Sequence, residues 1–236
     1  MKALILAAAL LAAAQIPAAR AQMAPASFLV VHGIPGRDVA PTLDPLLPVD
    51  VLINGKYCLL QGLTFGTIAG PYDVPPGTYA VAISLANPIA PCSASPVISA
   101  NVTLTSGEFG AVVAALSTKG APAAEVYALN VTTVPVGQQR FMAAHAANAP
   151  PVRVTVTSTG GGPTETAGFG LVPGSEKSAT VPARTSFNLV ARTGAGAVIG
   201  PVTVSPGNQG LVAAFAVGSA TSGSARILTK VIPAVE

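Results

Sequence analysis

Residues 102–116 read VTLTSGEFGAVVAAL and residues 202–216 read VTVSPGNQGLVAAFA. The two stretches align without a gap at an offset of 100, with six of fifteen positions identical: Val102/Val202, Thr103/Thr203, Gly107/Gly207, Gly110/Gly210, Val112/Val212 and Ala114/Ala214. Self-similarity over so long an offset marks an internal duplication. Other landmarks recur in the same order. His32 in FLVVHGIPG pairs with His145 in FMAAHAANAP, and Pro48-Val49-Asp50-Val51 with Pro151-Val152-Arg153-Val154. Phe65-Gly66 pairs with Phe169-Gly170, and Val74-Pro75 with Thr78 and Tyr79 pairs with Val181-Pro182 with Thr185 and Phe187. Between His32 and Val49 the first copy carries about ten extra residues, including Arg37, Asp38, Asp44 and four prolines.

Within each copy the hydrophobic period is two. Val152, Val154 and Val156 alternate with Arg153, Thr155 and Thr157; Val49, Val51 and Ile53 alternate with Asp50, Leu52 and Asn54; Tyr79, Val81 and Ile83 share a face. Such alternation marks half-buried strands. Asn54-Gly55 is a tight-hairpin signal, because both central residues of that turn need positive φ. Pro75-Pro76-Gly77, Ser106-Gly107 and Pro206-Gly207 punctuate the runs. No stretch keeps a 3.6 period with caps. The expected fold is all-β: two tandem antiparallel β-sandwich domains, Ig-like or prealbumin-like, at 22–133 and 134–236.

The N-terminal segment reads as an export signal. Met1-Lys2 gives a positive start, an apolar run extends from Ala3 to about Ala14, and Ala19-Arg20-Ala21 has the small-x-small pattern of a cleavage site. The expected cut follows Ala21, with Gln22 as the mature N-terminus. As a membrane anchor the run is too short, about 12 residues where about 20 are needed. No Cys follows it for lipid attachment, and no later run matches it, so the mature chain is expected to have no transmembrane segment. Cys58 and Cys92 are the only cysteines. In an oxidising compartment they are expected to pair, closing a loop worth about 3–4 kcal/mol by the chain-entropy account. Free thiols and a metal site are the alternatives, and a metal site would need clustered ligands that His32 and His145 do not supply by spacing.

The chain has 236 residues, 9% charged and 50% hydrophobic, with 24 Gly, 22 Pro and no Trp. That apolar content excludes disorder, and the Gly/Pro density excludes a helical bundle. The formal net charge of +3 and pI near 9.1 invite a nucleic-acid partner. Lys2 and Arg20, however, belong to the signal. The remaining basic residues are scattered and nearly balanced by acids, without the basic stripe that phosphate contacts need.

LVVHGIPG, PVDVLING, LTFGTIAGPYDVPPGTYAVAI and VTLTSGEFGAVVAAL, in this order, resemble the bacterial exported DUF4397 domain family, a domain of unknown function whose members often occur as tandem copies. His145-Ala146-Ala147-Asn148-Ala149-Pro150 is similar to that family's His-Ala-Ser-Pro-Asp-Ala-Pro opening. The first copy departs from it at its insertion. The second departs at Ser158-Thr159-Gly160-Gly161-Gly162-Pro163, which replaces Asn-Gly, and lacks Gly in the Val181-Pro182 turn. The resemblance covers most of the chain and implies a bacterial exported β-sandwich with no established activity and no catalytic residues. VPPGTYAVAI is also similar to small surface β-domains of the PEGA and carboxypeptidase-regulatory types.

Catalytic chemistry is thinly supplied. GxSxG, HExxH and SxxK are absent. Gly194–Gly200 looks like a dinucleotide loop, but strand-like Pro201-Val202-Thr203-Val204 follows where a helix N-terminus is required, so it reads as a turn. His32, Arg37, Asp38, Asp44, Asp50 and Asp73 form the densest polar group in sequence. Calcium spacing is missing, and turn-forming Asp explains much of it. His32 and His145, at matching places, are expected to bond turn backbone. Asn101-Val102-Thr103 and Asn130-Val131-Thr132 match the glycosylation sequon, which in a bacterial chain is expected to be chance. Tyr57 and Tyr72 beside turns, with Arg37 and Asp38, are the candidate ligand surface.

The expected role is therefore non-enzymatic: structural or binding, at the cell envelope or outside the cell, in surface assembly, adhesion or matrix. The alternative is a glycan- or peptide-binding module using loops of the first repeat. A hydrolase is the third reading and requires His32 to converge with Asp38, Asp50 or Asp73. Expected partners are an envelope or extracellular protein or glycan. Self-association is also expected, because a surface with little charge resists association weakly. No cofactor, metal or nucleic acid is expected.

Overall fold

The computed structural model describes residues 23–159, 164–183, 186–205 and 210–234. The expected signal and its cleavage site at Ala21-Gln22, the glycines at 160–162 with Pro163, Thr185 and Pro206-Gly207 lie outside the described residues.

Strand β1 (Ala26–His32) leads into a single-turn helix α1 (Gly36–Val39) inside the insertion. Strands β2 (Val49–Ile53), β3 (Tyr57–Leu63), β4 (Ile68–Val74) and β5 (Gly77–Leu85) follow. Strands β6 (Ile98–Leu104), β7 (Phe109–Leu116) and β8 (Pro122–Ala128) complete the first half. The second half begins with β9 (Gln138–His145), β10 (Val152–Ser158), β11 (Thr164–Leu171) and β12 (Glu176–Pro182). It ends with β13 (Phe187–Thr193), β14 (Val198–Val204), β15 (Leu211–Val217) and β16 (Arg226–Ile232).

Each half makes two four-stranded sheets with the same topology. The outer sheets run β3-β2-β5-β6 and β11-β10-β13-β14; the inner sheets run β4-β1-β7-β8 and β12-β9-β15-β16. The fold is all-β, two sandwich units, as the alternation implies. The pairing is not wholly antiparallel, however: β1 lies parallel to β7, and β9 parallel to β15. Parallel neighbours need a long crossover, and five strands separate the members of each pair.

Burial explains the sequence pattern. Outer strand β10 buries Val152, Val154 and Val156 and exposes Arg153. Inner strands β7 and β15 are buried along their whole length. Their two faces meet different layers, so they read as continuous apolar runs, FGAVVAAL and LVAAFAV. Val112, Ala114 and Leu116 pack into the first sandwich, and Val212 and Ala214 into the second. Ala111, Val113 and Ala115 instead share a third core with Leu211, Ala213 and Phe215 of the other half. The halves are therefore four stacked layers with a continuous interior. Tyr127 and Phe215 rings meet across the middle at 6.4 Å, and Arg226 sits 4.1 Å above the Phe65 ring.

Two of the sequence pairings need correction. The strand register sets Ala114 opposite His32 and Ala216 opposite His145, so those two alanines are equivalent, two residues away from the gapless match. A slip of two preserves the faces of a strand, which is why uniform apolar runs hide it. Phe169-Gly170 lies within β11, whereas Phe65-Gly66 is the turn after β3. The true counterpart of Gly66 is Gly174: their N–H groups donate to the carbonyls of His32 and His145.

Candidate functional site

The β2–β3 hairpin turns on Asn54 (φ 52°) and Gly55 (φ 64°), the positive-φ pair expected of Asn-Gly. Lys56 N–H closes it onto the Ile53 carbonyl at 3.0 Å. The hairpin sits over an end of the first sandwich. Along the sandwich margins β6 packs against β8, β14 against β16 and β11 against β12, whereas β3 and β4 pack less closely. Pairing of β2 with β3 shifts register between Val49 and Val51 and again between Val51 and Leu52, and such bulges bend a strand away from its course. The Cys58–Cys92 disulfide then ties β3 to the loop after β5.

An apolar groove of about 250 Å³ lies between the two sheets at this end of the sandwich. Its floor is Phe28, Val81, Val102, Leu104 and Val112, all buried. Ile53, Leu59, Val74 and Tyr79 form the walls, and Asn54, Tyr57 and Pro75 the rim. Tyr57 is 59% exposed, and Lys56 Nζ stands 5.1 Å from its ring centroid. Tyr79 donates its hydroxyl to the Pro75 carbonyl, and Asn54 Oδ1 accepts the Ala80 N–H at 2.8 Å.

The other predicted residues do not line the groove. Tyr72 is half-buried with its ring 5.8 Å from Phe28, packed into the core. Arg37 is exposed on α1, and Asp38 accepts a hydrogen bond from Ser224 of the other half. A second apolar cavity of about 190 Å³, lined by His32, Ile34 and Val39, opens at that end. Tyr57 and the Arg37–Asp38 pair thus occupy opposite ends of the first sandwich and do not converge. Phe28, Leu59, Val74 and Tyr79 were missed as a group, because strand alternation identifies each as core and says nothing of a gap between sheets.

His32 is buried and donates from Nε2 to the Leu47 carbonyl at 2.7 Å, while its Nδ1 accepts the Ile34 N–H at 3.4 Å. Burial lowers its pKa, only partly offset by the Leu47 bond; the ring is neutral with its proton on Nε2. His145 makes the matching bond from Nε2 to the Pro150 carbonyl at 3.0 Å. The convergence that a His32-centred hydrolase requires is not formed: Asp38 holds Ser224, Asp73 holds Ser27, and Asp50 holds backbone. Asp50 is buried and accepts the N–H groups of Gly62 (2.9 Å), Asn87 (3.1 Å) and Cys92 (2.8 Å). Burial pushes its carboxyl up, but these three donors outweigh it and hold the pKa below the ordinary value. Among the described residues no three His, Cys, Asp or Glu gather as metal ligands would.

Residues 26–155, more than half of the chain, match the family described as a domain of unknown function, DUF4397. The chain belongs to that family. The DUF4397 match spans the first half and runs on through β9 into β10. No curated protein matches the chain. Among solved structures, the Bacillus anthracis TIE protein is 9% identical with a TM-score of 0.26; the match covers 88% of this chain and 34% of that protein. A Bacteroides ovatus protein described as a candidate adhesin is 9% identical with a TM-score of 0.23, covering 90% of this chain and 94% of that one. A Bacteroides fragilis protein described as a candidate cell adhesion protein is 9% identical with a TM-score of 0.21, covering 91% and 99%. Likeness at this level carries no functional argument. Among the described residues no helix is long and apolar enough to cross a membrane.

Proposed function

We propose that this chain is an exported, non-catalytic binding protein of the cell envelope or extracellular space, built of units at 22–133 and 134–236, whose first unit presents the groove under Tyr57 to an apolar group. The apolar groove between the two sheets at the Tyr57 end carries this reading; beside it β3 and β4 pack less closely than the other three margins of the same two-sandwich fold. A concave, apolar, preformed gap with a few polar atoms at its rim has the character of a ligand site. The groove argues against a glycan occupant, because sugar hydroxyls buried against Leu59, Val74 and Val102 would lose their hydrogen bonds. The Cys58–Cys92 disulfide supports export. The engagement of His32 with backbone supports a non-catalytic role.

Nile red, a neutral dye that brightens in apolar surroundings, tests the reading. The full mature chain should enhance its fluorescence, and Leu59→Glu should abolish the enhancement while leaving circular dichroism unchanged. No enhancement with the folded wild type overturns the groove. Export is tested by cell fractionation and N-terminal sequencing, which should find the chain outside the cytoplasm starting at Gln22.

A further inference from the structure

Two arginines far apart in sequence stand side by side on the second sandwich. Arg153 of β10 is directly opposite Arg192 of β13 in the strand register, and both are exposed on the outer face of the outer sheet. Side chains so placed leave the backbone about 4.5–5.5 Å apart, and like charges there destabilise a sheet. In a chain only 9% charged, the fold itself gives no reason for such a pair. Glu165, the one acid on the four strands of this sheet, is opposite Thr157, four residues along from Arg153. Arg192 makes no ion pair with any described residue.

Both arginines line a cleft of about 520 Å³, together with Leu171, Val172, Gly170 and Gly194. Gly170 is opposite Arg153 on the side away from Arg192, and Gly194 follows Arg192 by two residues. Neither glycine has a positive φ, and a Cβ on either would meet nothing within 4 Å. The backbone therefore does not require them. They leave the surface beside the guanidiniums bare, as strand glycines do where a ligand approaches closely. The first sandwich treats the same place differently. Asp50 and Ser84 hold the equivalent positions, next to the matching pairs Val49/Leu85 and Val152/Thr193. There the loop after β5 covers the Asp50 carboxylate and gives it the N–H groups of Asn87 and Cys92. Only residues 194–197 join β13 to β14, so the paired charges of the second sandwich have no such cover.

We propose that the Arg153–Arg192 cleft binds a dianionic phosphate group. A phosphate monoester carries about −1.5 to −2 charge at pH 7 and three acceptor oxygens, enough to engage both guanidinium forks at once. A carboxylate brings one charge and two oxygens, which a single fork already occupies. The site is separate from the groove under Tyr57, and neither reading depends on the other.

The experiment is NMR titration of the full mature chain, at constant ionic strength, with inorganic phosphate, glucose 6-phosphate and glucuronate, together with flotation on phosphatidic acid vesicles. Wild type, Arg192→Gln and Gly170→Glu are compared. A phosphate ligand should shift the amides of Arg153, Gly170, Arg192 and Gly194 and bind more tightly than glucuronate. Arg192→Gln should weaken it about fivefold, the upper end for an exposed ion pair. Because it removes a like-charge contact, this variant should melt no lower than wild type. Gly170→Glu has room for its side chain and should block binding by offering Arg153 a carboxylate. Inorganic phosphate binding without glucose 6-phosphate assigns the free ion, glucose 6-phosphate binding without flotation assigns a phosphorylated sugar, and flotation lost in Arg192→Gln assigns a lipid headgroup. Glucuronate binding as tightly as glucose 6-phosphate, shifts confined to other parts of the chain, or binding and flotation unchanged in Arg192→Gln overturn the proposal, as does the absence of any binding.

Discussion

Gly218 donates its backbone N–H to the Gly33 carbonyl at 3.0 Å, a bond between the two halves of the chain. A Cβ placed on Gly33 would lie 2.8 Å from both the Ala114 carbonyl oxygen and Val217 Cγ1, inside van der Waals contact. Gly33→Ala therefore has to push the inner layers apart, at a cost of about 1–3 kcal/mol. Because the layers share a core, urea unfolding should show one transition, shifted as a whole. Two transitions with only one displaced would show the halves to be independent.

The centre of the shared core makes the same point more strongly. Phe215 is fully buried against Tyr127 of the first half. Phe215→Ala should cost about 3–5 kcal/mol. Hydrogen exchange is the useful readout: protection should fall in β7 as well as in β15, although only β15 carries the change.

Asp50 should govern the acid limit of stability. Its carboxyl is held below 3.8 in the fold, so the stability it adds is complete above that value and fades as pH falls toward the lower folded one. Asp50→Asn sets an amide N–H against backbone N–H groups and should lose about 2–3 kcal/mol at neutral pH. Its stability curve should also be flatter than wild type below about pH 4. Equal acid limbs in the two proteins would remove Asp50 from this role.

His32 predicts a second, milder limb. Burial keeps its pKa below 6.5, so below that value the unfolded chain takes up a proton that the fold resists, and stability declines as pH drops toward the folded value. His32→Gln retains a donor for the Leu47 carbonyl and removes the titration. Thermal melts from about pH 7 to pH 5, the range where histidine titrates, should fall for wild type and stay level for the variant.

The disulfide closes a separation of 34 residues, so its reduction should cost about 3–4 kcal/mol by chain entropy. Cys92 also donates its N–H to Asp50, and the two restraints hold the same loop. Cys92→Ser and Asp50→Asn should combine less than additively in a double-mutant cycle.

Much of the fold was legible because strands have period two and because the chain repeats itself. The alternation of Val152, Val154 and Val156, the Asn54-Gly55 turn and the paired histidines each stand for a local requirement that sequence must meet. What escaped were relations between layers. The two-residue slip of Ala114 against Ala216 was invisible because both strands are apolar throughout. Tyr57 was picked out as exposed, but its partners across the groove were not. Arg37 and Asp38 were grouped with it, which the opposite ends of β1 undo, and Tyr72 packs on Phe28 of the groove floor instead of facing outward.

Taken alone, the sequence determined the all-β class, the duplication and the only cysteine pair available, since these follow from composition, periodicity and spacing along one chain, while its motifs carried the resemblance to the family. The tertiary structure alone decided that the halves share a core, that β3 and β4 pack less closely than the other margins, and that Tyr57 stands at the rim of a groove between the sheets. These depend on how sheets stack and where bulges bend β3. That information resides in contacts between residues far apart in the chain.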